Sequence, residues 1–244
     1  MHFRLPTSAV LWAGLLATAA TAQVQRPDLA QATERVTRQT NEFRAAHRAG
    51  ATTADPALTE AAQAFADHMA RTDRYSHEAD GRRPSERASA HGYDYCLVSE
   101  NIAFVQSSAG FETQELAERL VRGWKESPGH RKNMLDVAVT ETGVAIAQSP
   151  RTKRYYAVQM FGRPREETIE FRIANRSPTL LRYELGERSY ELPPRVTHTH
   201  QQCRPLTLTI RLPGHAEPIA LRPAHGERYL VEPQGTHGYR LNKG

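Results

Sequence analysis

The sequence predicts an α+β fold followed by a small all-β region, on three observations. Apolar residues recur at helical spacing through the first half, and two adjacent β-branched and aromatic runs follow near residues 142–162. From Glu166 onward, short runs alternate with Pro, Gly and Asn, the texture of several closely spaced strands.

The first 22 residues have the make-up of a secretory leader. Met1, His2, Phe3 and Arg4 form a short basic start, Ala9 to Ala20 is apolar, and Ala20-Thr21-Ala22 supplies small residues before Gln23. The apolar run is shorter than the ~20 residues a spanning helix needs. The expectation is cleavage after Ala22, a secreted or periplasmic chain and no transmembrane anchor. The net charge of +5 falls to +4 without Arg4, and the cations are scattered, which argues against nucleic acid as a partner.

Asp28 to Arg48 reads as a helix with Leu29, Val36, Phe43 and Ala46 facing inward, stopped before Gly50. Asp55-Pro56 opens a second helix as cap and first residue, and Leu58, Ala61, Ala62, Phe65 and Met69 give it a narrow face suited to close packing. Pro84 to Ala90 is a short helix closed by Gly92. Glu100 stands among apolar residues, so it is either at a cleft or paired. A further helix carries Glu115, Leu116, Leu120, Val121 and Trp124 at three- and four-residue spacing. Pro128 cannot continue it, so Ser127 becomes the cap of a new short helix running through Met134, which leaves Glu126 and His130 at the junction. Thr142 to Gln148 and Tyr155 to Gly162 read as two strands joined by a solvated turn at Ser149 to Arg154.

In this order the motifs resemble a bacterial CAP domain, the SCP-like superfamily of cysteine-rich secretory, antigen 5 and pathogenesis-related 1 proteins. They are Asn41-x-x-Arg44-x-x-His47, Ser76-His77, Glu100-Asn101-Ile102, Trp124-x-Glu126-Ser127-Pro128-Gly129-His130-Arg131-x-Asn133-Met134-Leu135, Gly143-Val144 and Tyr155-Tyr156-x-Val158-Gln159-x-Phe161-Gly162. The resemblance spans residues 28–163. It implies an α-β-α sandwich with a cleft lined by two histidines and two acids, onto which His77, Glu100 and His130 fall directly. Glu126 stands one residue before the position, here Ser127, that holds the second acid in many relatives. Ser99 replaces the usual glycine before Glu100.

Two imidazoles, His77 and His130, suit zinc or another divalent metal, with Glu100 or Glu126 fixing the histidine tautomers or acting on bound water. The competing reading is a hydrogen-bonded cluster that orders the cleft. No HExxH, no G-x-S-x-G elbow and no thiol beside an obvious base is present. The leading reading is a binding module for a small ligand, lipid or protein partner. The alternatives are a metal-assisted hydrolase of peptidase or esterase type with a Glu base (Glu100 or Glu126), and a structural envelope or matrix protein.

From residue 166 the expected strands are Thr168 to Ile173, Leu180 to Tyr183, Ser189 to Leu192, Leu206 to Leu212, Ile219 to Leu221 and Arg228 to Val231, forming a small sandwich-like domain over 166–244. This part holds five histidines, His198, His200, His215, His225 and His237. His198 and His200 share one strand face, the spacing of a metal pair, but no third ligand is evident, and packing or accessory recognition is the preferred role. Cys96 and Cys203 are the only cysteines. In an oxidising compartment they pair together, stay as buried free thiols or link two chains; the expectation is a Cys96–Cys203 disulfide tying the C-terminal domain beside Glu100.

Overall fold

The computed structural model describes residues 26–235 and 238–244, so the leader and His237 lie outside the described residues. The chain runs α1 (Leu29–Ala46), β1 (Thr53–Ala54), α2 (Pro56–Thr72), α3 (Pro84–Ala90), β2 (Tyr95–Val105), α4 (Thr113–Glu126), α5 (Pro128–Met134), β3 (Glu141–Gln148) and β4 (Tyr155–Pro164). It continues with β5 (Ile169–Asn175), β6 (Leu181–Leu185), β7 (Arg188–Leu192), β8 (Thr197–Gln202), β9 (Leu208–Ile210), β10 (Ile219–Leu221), β11 (Arg228–Gln234) and β12 (Gly238–Lys243).

The first sheet has the order β1-β3-β4-β2, with β1 parallel to β3 and the other pairs antiparallel. Both its faces are covered, which is why β3 and β4 read as continuous apolar runs rather than alternating ones. Val144, Ile146, Tyr155, Ala157 and Phe161 pack against α1, α4 and α5. Their sequence neighbours Ala145, Ala147, Tyr156, Val158 and Met160 point the other way, onto α2 and α3. The result is an α-β-α sandwich.

Local chemistry sets the element ends. Asp55 accepts the Leu58 N–H at 2.8 Å and Pro56 follows as first residue of α2. At the other junction α4 stops at Glu126, and Ser127 is at once its C-cap and the N-cap of α5. The buried stripe of α4 is Leu116, Ala117, Leu120, Val121 and Trp124, whereas Glu115 is exposed.

One expectation needs correction. Leu29, Val36 and Phe43 of α1 pack against the core as expected, but Ala46 is exposed, and Ala32, Thr40 and Arg44 are buried as well. Arg44 is buried because its guanidinium donates to four carbonyls, those of Gly50, Met134, Asp136 and Val139. The turn between β3 and β4 is solvated as expected, with Pro150, Arg151 and Lys153 exposed, and it is also anchored, since Asp73 accepts from Arg151 Nε at 2.9 Å and Thr152 Oγ1 at 2.6 Å.

Past β4, two four-stranded sheets, β10-β9-β6-β7 and β12-β11-β5-β8, enclose a separate core that includes Phe171, Ile173, Tyr183, Leu192, Leu208 and Val231. This is an α+β domain followed by an all-β domain. A disulfide joins Cys96 to Cys203 with α-carbons 5.4 Å apart. Cys96 lies where the β2–β4 register shifts between Tyr95 and Leu97, so leaving the ladder there frees its side chain for the bond. Arg204 Nη1 to Asp136 Oδ2, at 2.5 Å, adds a second link between the two halves. Among the described residues no helix is long and apolar enough to cross a membrane.

Candidate functional site

β2 is an edge strand, and it carries two buried polar residues, Glu100 and Asn101, in the middle of its length. Neither is tolerable there without partners. Glu100 Oε2 accepts from Arg87 Nη2 at 2.7 Å, and Glu100 Oε1 lies 2.8 Å from His77 Nδ1. Arg87 is itself buried, stacked 3.5 Å over the Phe65 ring; Nη1 also donates to Asp80 Oδ1 and the Arg82 carbonyl, and Nη2 to the His77 carbonyl.

This chain of bonds fixes a tautomer. A carboxylate accepts hydrogen bonds, so a neutral His77 ring that donates to Glu100 carries its hydrogen on Nδ1 and leaves Nε2 as the acceptor. The His77 side chain is 48% exposed against 1% for Glu100, so the buried ion pair serves to aim an imidazole at solvent.

His130 enters from α5. Its backbone carbonyl accepts from Asn101 Nδ2 at 3.1 Å, and Asn133 Nδ2 donates to both the Glu100 carbonyl and Asn101 Oδ1. The two asparagines thus lock the start of α5 onto β2. The His77 and His130 ring centres stand 6.5 Å apart, tilted by 54°. Burial, then the proximity of His77, pushes the His130 pKa below the ordinary histidine value, which favours a neutral ring.

Glu126 is exposed and has no hydrogen-bond or ion-pair partner among the described residues. Glu126 is the last residue of α4, directly before the Ser127 cap of the helix that carries His130. Two residues before His77, Tyr75 forms an exposed aromatic pair with Phe104, edge to face at 4.9 Å. Tyr75 OH donates to the Ile102 carbonyl at 3.1 Å, and Trp124 Nε1 donates to the same oxygen at 3.1 Å.

The metal expectation meets a geometric test. With zinc–nitrogen bonds of ~2.0–2.1 Å, two imidazoles on one ion must stand closer than these rings unless the ligand angle is nearly straight. Both Glu100 oxygens are already engaged. Among the described residues, no group of three or more His, Cys, Asp or Glu side chains is placed to hold one metal ion. The side chains as arranged do not fit a multi-ligand zinc centre. Arg87 and Asp80, which organise the site, carried no sequence signal, because a lone arginine in a seven-residue helix looks like a solvated charge.

A sequence model described as CAP, the cysteine-rich secretory protein family, matches residues 37–161, just over half of the 244-residue chain. The chain is 29% identical over 96 residues to the uncharacterized protein YkwD of Bacillus subtilis (strain 168), covering 39% of this chain and 34% of that protein. It therefore spans about a third of the length of the curated relative it matches. Among solved structures it is similar to an extracellular protein of Bacillus anthracis containing an SCP domain, at 23% identity and TM-score 0.47, over 55% of this chain and 41% of that one. It is also similar to an outer surface protein of Borrelia burgdorferi, at 17% identity and TM-score 0.49, over 55% of this chain and 94% of that one. With the helices, sheet and ordered motifs of residues 37–161 in place, this chain belongs to the CAP, or cysteine-rich secretory protein, family.

Proposed function

We propose that this chain is an exported CAP-family binding module whose cleft at His77, Glu100 and His130 takes a small ligand with a polar group and an apolar face. The observation that carries the reading is the Asp80–Arg87–Glu100–His77 chain. A buried ion pair is costly to desolvate, and here it orients one exposed ring. In the neutral ring His77 Nε2 then offers an acceptor for a ligand donor, the His130 ring a second polar contact, and Tyr75, two residues before His77, pairs with Phe104 as an exposed aromatic surface.

The binding reading is preferred to Glu-base hydrolysis because Glu100 has both oxygens occupied and Glu126 has no hydrogen-bond partner among the described residues. A divalent ion such as zinc is a secondary ligand in this reading, taken through His77 Nε2 with His130 joining only if one ring moves inward. Export is supported by the leader-like first 22 residues and by a disulfide, a bond favoured in oxidising compartments.

Mass spectrometry of the mature protein as purified, with its metal content, tests this directly. A small molecule present in the wild type and lost in the His77→Ala/His130→Ala variant is expected. Equal retention by both proteins would exclude the cleft as the binding site.

A further inference from the structure

We propose that a cavity at the end of the first sheet, built around Arg26, Lys153 and the Tyr155 hydroxyl, binds a small phosphate monoester. Val105 of β2 and Gln148 of β3 both pair with Tyr155, so these two strands end where β4 begins. The loop after β2, the turn between β3 and β4, and Arg26 ahead of α1 then wall a space of about 480 Å³. Small-molecule pockets run from about 300 to 1,000 Å³, and a bare inorganic ion would leave most of this one empty.

The walls are fixed by bonds that leave donors over. Gln106 Nε2 ties the loop to the turn by donating to the Thr152 carbonyl at 2.7 Å, and Gln148 Nε2 donates to the Lys153 carbonyl at 3.3 Å. The Lys153 ammonium donates one proton to the Pro150 carbonyl at 2.7 Å and keeps two. Tyr155 lines the cavity yet is only 3% exposed, and its hydroxyl has no hydrogen-bond partner among the described residues. Phe111 meets its ring edge to face at 5.7 Å and holds it in place. Burial raises the Tyr155 pKa against the opposing charge of Arg26, so the hydroxyl keeps its proton and donates. A donor on so buried a residue calls for an acceptor from outside the protein.

Charge selects the acceptor. The lining holds two cations and no carboxylate. Two acids border it through their neighbours, and both are engaged: Asp28, two residues after Arg26, caps α1, while Asp73, which accepts from Thr152 Oγ1, pairs with Arg151 at 2.8 Å. Two cations match the charge of nearly −2 that a phosphate monoester carries at pH 7. The arginine fork, the ammonium and the hydroxyls of Tyr155, Ser107 and Ser108 suit its three terminal oxygens, where a carboxylate offers only two. The remaining volume takes the organic part. None of His77, Glu100 and His130 lines this cavity, so the site is separate from the cleft.

Titrating the full chain with phenyl phosphate tests the proposal, with inorganic phosphate, phenyl sulfate and phenol as comparisons. The expected result is saturable binding that shifts the amide signals of residues 106–110 and 149–154, weakens with added salt and is tighter than for any of the three comparisons. Arg26→Ala and Lys153→Asn should each weaken it at least about tenfold. Both side chains are exposed, and asparagine tolerates the left-handed φ of 61° at Lys153, so neither change threatens the fold. Tyr155→Phe, which removes only the hydroxyl, should weaken binding several-fold, and His77→Ala/His130→Ala should leave it unchanged. Absence of saturation, equal binding of phenol or of inorganic phosphate, affinity retained in Arg26→Ala and Lys153→Asn, or binding lost in the cleft variant would each overturn the assignment.

Discussion

Arg87 Nη2 lies 2.7 Å from Glu100 Oε2, and both residues are buried. Removing one partner of such a pair leaves an uncompensated charge inside the protein. Arg87→Ala should therefore lower stability by ~3–5 kcal/mol, well above the effect of a surface ion pair. Urea unfolding measures it, and a loss near that of Arg182→Ala, whose partner Glu191 is exposed, would contradict the buried pairing.

The same pair sets the state of His77. Nitrogen chemical shifts of the neutral ring should show the hydrogen on Nδ1 in the wild type, because Glu100 Oε1 accepts it at 2.8 Å. Glu100→Ala should release that preference. An Nε2–H ring in the wild type would remove the fixed acceptor on which the binding proposal depends.

Asp73 contributes to the response to acid. Chiefly the Thr152 hydroxyl, aided by Ser149, Arg151 and Tyr156, holds its pKa at about 2 against an ordinary 3.8. A carboxyl whose folded pKa is depressed takes up its proton more readily when unfolded. Its stabilisation is complete above about 3.8 and is lost as pH falls through about 2. Asp73 has a left-handed φ of 53°, which asparagine tolerates, so Asp73→Asn removes the charge without straining the backbone. Melting temperature against pH should be flatter for the variant between these two values; an unchanged profile would mean that Asp73 is not coupled to folding.

The sequence showed the periodic parts of this fold and concealed the polar ones. α2, α3 and the α4–α5 break were legible because Pro56, Pro84 and Pro128 each begin a helix and apolar spacing marks α2 and α4. β2 was not recognised as a strand, since Glu100 and Asn101 interrupt its apolar run and only tertiary partners make them acceptable there. β12 was missed for a related reason: Arg240, Asn242 and Lys243 leave little apolar alternation. His77 and His130 were identified from ordered motifs. Arg87 was not, because its role depends on Phe65, Asp80 and Glu100 meeting in space.

Glycine substitutions separate tight packing from helix propensity. A Cβ on Gly143 would fall 2.2 Å from the Leu58 carbonyl carbon and 2.3 Å from the Thr59 nitrogen, both backbone atoms of α2. Gly143→Ala should cost at least ~1–3 kcal/mol, since neither helix nor strand can yield cheaply. At Gly123 a Cβ meets nothing within 4 Å, and the residue lies inside α4. Gly123→Ala should stabilise by up to ~1 kcal/mol. Thermal melts of the two variants must move in opposite directions, and equal shifts would refute the close approach of α2 to β3.

The Cys96–Cys203 disulfide closes a loop with a sequence separation of 107 and begins four residues before Glu100. The exposed Arg204 side of the neighbouring ion pair cannot replace it, because such surface pairs contribute only ~0–1 kcal/mol. Loop-closure entropy sets an upper figure of ~4.7 kcal/mol for a loop of about this size, reduced by structure remaining in the unfolded chain. The Cys96→Ser/Cys203→Ser variant should therefore unfold at lower urea, and wild-type protein held in reductant should match it. Amide exchange should also quicken at residues 95–100, where the bond pins the edge strand that carries Glu100. Native protein with two alkylatable thiols, or a dimer lost on reduction, would show that the two halves are not tied in this way.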